Sequence, residues 1–140
     1  MSIIVTLTDQ DKATLRTAAY GAVSLMAAAD VTGKPHRAST RGALALTSVT
    51  GPVGHVLAAK SRDITLTGKS VAELADHVLP ALTAAMDTLA RQDRVEADNF
   101  RSAVLVAVEA TRTRRDDPSP VRDEMARKIT AALDASTGLS

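Results

Sequence analysis

Residues 70–91 read SVAELADHVLPALTAAMDTLAR. Val71, Leu74, Ala75, Val78, Leu82, Ala85, Met86 and Leu89 recur at intervals of three and four, so they share one face of an α-helix. Ser70 and Glu73 match the S-x-x-E capping box, in which each side chain satisfies a free N–H at the helix start. Asp76, His77, Thr83, Asp87 and Arg91 fall on the other side. A face this apolar has to be covered by other helices. The stretch therefore predicts a long amphipathic helix with the remaining chain assembled around it.

The rest of the chain supplies such helices. Thr8, followed by Asp9 and Asp11, is a cap before a helix running to about Ala29, with an inward stripe of Leu15, Ala18, Ala19, Ala22, Val23, Leu25 and Met26. Gly21 inside that helix points to a close helix crossing. Residues 30–39 carry Gly33 and Pro35 and read as a loop. A helix over about 39–59, with Leu44, Leu46, Val49, Val53, Val56 and Leu57 as its apolar residues, is interrupted by Gly51-Pro52. Proline removes a backbone donor and clashes with the preceding turn, so a kink or two short helices are expected there. Residues 60–69 are polar and irregular. Pro80 is expected to bend the organising helix near Asp76. Asp93 and Glu96 form a second box-like start to a helix ending near Arg114, with Val95, Phe100, Ala103, Val104, Ala107 and Val108 inward. Ser119 and Pro120 open a last helix on Val121, Met125, Ile129, Ala132 and Leu133.

The expected fold is all-α: one compact domain over residues 1–140, with five to six helices, an N-terminal arm at 1–7 and a loose tail at 136–140. Hydrophobic residues make up 45% of the chain and aromatics 1%, so Ala, Leu and Val must build the core. Ala and Leu are strong helix formers, whereas sheets draw on aromatic and β-branched residues. A faint echo links Leu15-Arg16-Thr17-Ala18 to Phe100-Arg101-Ser102-Ala103, and Ala22-Val23 to Ala107-Val108 at the same offset. It suggests a duplicated helix-loop-helix unit, although Ala-rich helices also align this well by chance.

Charge and composition narrow the function. Seventeen basic and sixteen acidic residues leave a net charge of +1, so no global field favours nucleic acid or an anionic membrane. The absence of cysteine excludes disulfides, thiol nucleophiles and Cys-ligated metals. No apolar run reaches the roughly 20 residues of a membrane span. The short apolar start at residues 2–5 lacks the basic flank of a signal peptide, and a soluble cytoplasmic protein is expected.

Chemical motifs are sparse. The three histidines, His36, His55 and His77, show no spacing that puts two ligands on one helix face, so no metal site is expected. Gly51-Pro52-Val53-Gly54-His55 lacks the lysine and Ser/Thr of a phosphate loop and reads as a helix break. No nucleophile elbow is present, and the acidic pairs Asp116-Asp117 and Asp123-Glu124 suit the dipole at the start of the last helix. Catalytic residues and cofactors are therefore both expected to be none. Arg112, Arg114 and Arg115, with Arg122, Arg127 and Lys128 after them, form one basic cluster. Acidic neighbours neutralise it and no aromatic is interleaved to stack on bases, so nucleic acid is not the expected partner. Three readings remain, the least favoured being an enzyme of unknown type. One is a non-enzymatic helical protein that self-associates, as a homodimer, or binds another protein. The alternative is a small-ligand or metal-binding protein with a pocket between helices near Tyr20, His55 and His77.

The stretches LTDQDKATLRTAAYGAVSLMAAAD, VGHVLAAK, VAELADHVLPALTAAM, DNFRSAVLVAVEAT and MARKITAALDAS resemble small all-helical actinobacterial proteins of uncharacterised function. The Ala-, Arg-, Asp- and Thr-rich usage points to the same source. A more distant similarity is to the TerB-like tellurite-resistance fold, whose two helix-loop-helix repeats carry acidic metal-binding loops. That resemblance would put Asp30 in the first loop and Asp116 with Asp117 in the second. The chain lacks the Asp-Gly and following glutamate of those loops, so the likeness implies no metal site here.

Overall fold

The computed structural model describes residues 6–29, 35–58, 70–111 and 120–137, with the backbone alone at 35–38 and 136–137. Among the described residues there are six helices and no strand: α1 (Asp9–Ala28), α2 (Pro35–Thr47), α3 (Gly51–Ala58), α4 (Val71–Gln92), α5 (Arg94–Ala110) and α6 (Pro120–Thr137). The expected irregular segment at 60–69 and most of the N-terminal arm lie outside the described residues.

The local signals place most helix starts. Thr8 caps α1 with a full capping box: its hydroxyl accepts from Asp11 N–H, and the Asp11 carboxylate accepts from Thr8 N–H. The Ser70 hydroxyl accepts from Glu73 N–H at the start of α4. α4 runs through Pro80 as one helix. Two boundaries move. α2 begins at Pro35, inside the expected loop, because proline suits the first helical position, where no N–H is needed. α5 closes at Ala110, short of Arg114, with Thr111 as its C-cap.

Four helices form a ring in the order α4, α1, α2, α5, with α6 against the outside of α4 and α3 across one end. The most extensive contact is between α1 and α4. However, α1 and α5 each touch all the other helices, whereas α4 touches only α1, α5 and α6. The two central helices are the pair that carries the sequence echo. Their matched residues Leu15 and Phe100, Ala18 and Ala103, Ala22 and Ala107, and Val23 and Val108 are all buried. The helices that follow them pack differently: α2 lies closely on α1, and α6 makes its main contact with α4 rather than α5.

Several expected core positions are corrected. Val71 is 41% exposed, Val95 64% and Val121 54%. All three lie in the first turn of their helices and project past the packed layer. Leu44 is 62% exposed on the outer side of α2. A close approach of helices falls at Gly42, where a Cβ would lie 2.7 Å from Val23 Cγ1 and 2.9 Å from Thr111 Cγ2.

Candidate functional site

The break at Gly51-Pro52 is built from three separate requirements. Gly51 sits at φ +82°, a conformation that L side chains adopt only with strain. Gly54 lies so close to the preceding turn that a Cβ would stand 2.0 Å from the carbonyl oxygen of Val49. Between them, Pro52 occupies an early helical position, where its missing N–H is harmless.

An eight-residue helix is too short to be stable alone. Other helices hold α3 at both ends. At its start, Glu96 Oε1 of α5 accepts from Val53 N–H at 3.3 Å, and Asn99 Nδ2 donates to Thr50 O at 3.0 Å. At its end, Arg16 Nε of α1 donates to Val56 O at 3.0 Å, and the Tyr20 hydroxyl donates to Leu57 O at 2.6 Å. The carboxylate meets the positive end of the helix dipole and the guanidinium the negative end. Glu96 thus serves α3, while Asp93 alone caps α5 by accepting from Val95 N–H. The same carboxylate lies at the start of the Gly-Pro-Val-Gly turn, where it accepts from Val53 N–H.

This arrangement assigns the three histidine and tyrosine candidates. Burial raises the Tyr20 pKa above its ordinary value, against a smaller lowering by Arg16, and its hydroxyl is committed to the α3 backbone. His55 is exposed in the last turn of α3, and His77 is exposed on α4. None of the three lines the groove described below. The side chain of His36, and residues Asp30, Asp116 and Asp117, lie outside the described residues. Among the described residues no three His, Asp or Glu side chains converge.

The basic cluster is also divided. Arg122 is buried, and its Nη2 donates to the Thr111 hydroxyl at 2.9 Å. Thr111 in turn donates to Val108 O, so this pair ties the start of α6 to the end of α5. Arg127 pairs with Glu124 on its own helix. Arg112, Arg114 and Arg115 lie outside the described residues.

Among the described residues, a cavity lies between α2 and α5. It is an open groove of about 270 Å³ walled by Ala45, Ser48 and Val49 on one side and by Asn99, Ser102 and Val106 on the other. The two helices run antiparallel, because Gly42 meets Thr111 at one end and Thr50 meets Asn99 at the other. Val106 is 60% exposed, and Leu44 lies one turn from Ser48. Among the described residues, these are the large aliphatics exposed away from the first turn of a helix. The sequence held a signal for this face. Val95, Asn99, Ser102 and Val106 are spaced four, three and four apart, an outward stripe opposite the buried Phe100, Val104 and Val108.

No described helix is long and apolar enough to cross a membrane. Comparison with known proteins brings no match: no family model fits the chain, and neither a curated protein nor a solved structure is similar to it.

Proposed function

We propose that this is a non-enzymatic helical protein that acts by self-association or by binding another protein, and that the α2–α5 face is its interaction surface. The observation that carries the reading is the exposure of Leu44 and Val106 beside an open groove. Large exposed apolar patches on folded domains mark interaction sites, and here the two exposed aliphatics stand on the two helices that wall the groove. The reading includes a cytoplasmic setting and kinship with small actinobacterial helical proteins, supported by the cysteine-free, Ala- and Arg-rich composition.

The test is sedimentation of the wild type beside Leu44→Glu/Val106→Glu. Both positions are exposed, so the double variant is expected to keep its melting temperature within about 2 °C while association weakens at least about tenfold. Unchanged association would move the interface elsewhere. The alternative, a small-ligand binder, draws support from the polar groups of Ser48, Thr50, Asn99 and Ser102 in the groove. Native mass spectrometry of protein from its own host separates the two. A dimer without adducts fits the interaction reading, and excess mass lost on denaturation fits a carried ligand.

A further inference from the structure

We infer that the outer stripe of α5 is the seam of a twofold homodimer, in which Val95 of each copy lies against Val106 of the other. The inference rests on the α2–α5 face being an interaction surface, and it names the occupant as a second copy of this chain.

A twofold interface must be complementary to itself. The stripe Val95, Asn99, Ser102, Val106 meets that condition in an unusual way, because both its spacing and its chemistry are palindromic. A valine stands at each end and a short polar residue at each inner position. When two such helices run antiparallel about a point midway between Asn99 and Ser102, each Val95 falls opposite the other chain's Val106. Asn99 falls opposite Ser102, whose small side chain lets the helices approach.

Charge selects the antiparallel arrangement over the parallel one. Arg94 and Glu109 lie at opposite ends of α5, on the edge of the stripe facing away from α2, and both are exposed. In an antiparallel pair, Glu109 of one copy comes within about 3 Å, along the axis, of Arg94 in the other, at 1.5 Å rise per residue. A parallel twofold pair would carry these residues to opposite edges of the seam, with glutamates at one end and arginines at the other, and would gain no such pairing. Val95 and Val106 therefore supply apolar contact at two symmetric points, and the end charges set the direction.

The natural absence of cysteine makes the register directly testable. Val95→Cys and Val106→Cys are prepared separately, one carrying a size tag. Each is oxidised alone, and then the two are oxidised as a mixture. Residues 95 and 106 are about 16 Å apart along the helix, so in the inferred seam neither variant can link to itself across the axis. The expected result is a covalent dimer containing one copy of each variant, formed in the mixture and in neither variant alone. Equal cross-linking in all three samples, or none in the mixture while the protein remains dimeric, overturns the seam. If Leu44→Glu/Val106→Glu still abolishes that dimer, the interaction surface stands and only the register fails. A wild type that sediments as a monomer at high micromolar concentration overturns the homodimer itself.

Discussion

Tyr20 shows how a single residue changes meaning between sequence and structure. As one of two rings in the chain, it drew attention as a ligand contact. In the fold it is a clasp, with its hydroxyl on the last turn of α3 and its ring against the core. Its pKa has a testable consequence. A phenol whose folded-state pKa is raised holds its proton more tightly when folded. The stability it contributes is full below the unfolded value near 10 and is lost as pH rises through the higher folded value. Tyr20→Phe is expected to lose about 1 kcal/mol at pH 7, the usual net worth of one hydrogen bond. The gap between wild type and variant is expected to close above pH 10, as read from urea unfolding across that range. A gap that is constant with pH would mean that the hydroxyl titrates alike in the folded and unfolded states. Arg16 and Arg122 carry the same lesson. Both are buried and aimed at oxygen acceptors, while their sequence positions read only as charge on a helix.

At the scale of an element, α3 is the most instructive. The sequence marks its start plainly through Gly51 and Pro52, because both residues act on the local backbone. Nothing local shows how so short a helix persists. Its stability comes from Glu96 and Asn99 on α5 and from Arg16 and Tyr20 on α1, contacts that span some forty positions of chain. Glu96→Ala is expected to destabilise the protein by about 1 kcal/mol, a typical loss for a cap. The expected signature in hydrogen exchange is local. Amides of α3 exchange faster, while those of α4 and α6 are unchanged except for the global shift. Uniform acceleration across all helices would deny Glu96 its local role. The Arg101–Asp134 pair, bidentate at 2.7 and 3.2 Å, similarly ties α5 to α6. Its hydrogen bond holds the Asp134 carboxyl below its usual range, but both groups are solvent-exposed and screened, so the link adds little stability.

For the whole molecule, the strongest sequence pattern marked a flanking helix rather than the centre. α4 buries one stripe, Val78, Leu82, Ala85, Met86 and Leu89, and shows solvent a polar face. That contrast is what makes its periodicity legible. α1 buries Leu15 through Ala19 without interruption, together with Gly21, Ala22, Val23, Leu25, Met26 and Ala27, so its pattern is blurred. A helix enclosed by neighbours on nearly all sides has little polar face left to reveal its orientation. Leu82→Ala and Val71→Ala test this division. Leu82 is fully buried, and its truncation is expected to cost about 2–5 kcal/mol. Val71 stands at the exposed first turn, where a change of about 0.5 kcal/mol or less is expected. Chemical denaturation measures both, and comparable losses would place Val71 in the core.

The sequence by itself determined that this chain is helical, where five of the helices begin, and, apart from the first-turn residues Val71, Val95 and Val121, which stripes of α4, α5 and α6 face inward. Those properties follow from propensity, capping and periodicity, which act over a few residues at a time. Only the tertiary structure decided that α1 and α5 form the centre, that Gly42 and Gly54 lie at close approaches, and that Val95 faces water rather than the core. The groove between α5 and α2 belongs to that second group, although the spacing of Val95, Asn99, Ser102 and Val106 carried a signal for its outer wall. A helix carrying Val95, Val104, Val106 and Val108 has more aliphatic surface than one face can bury, and only its neighbours settle which valines remain outside.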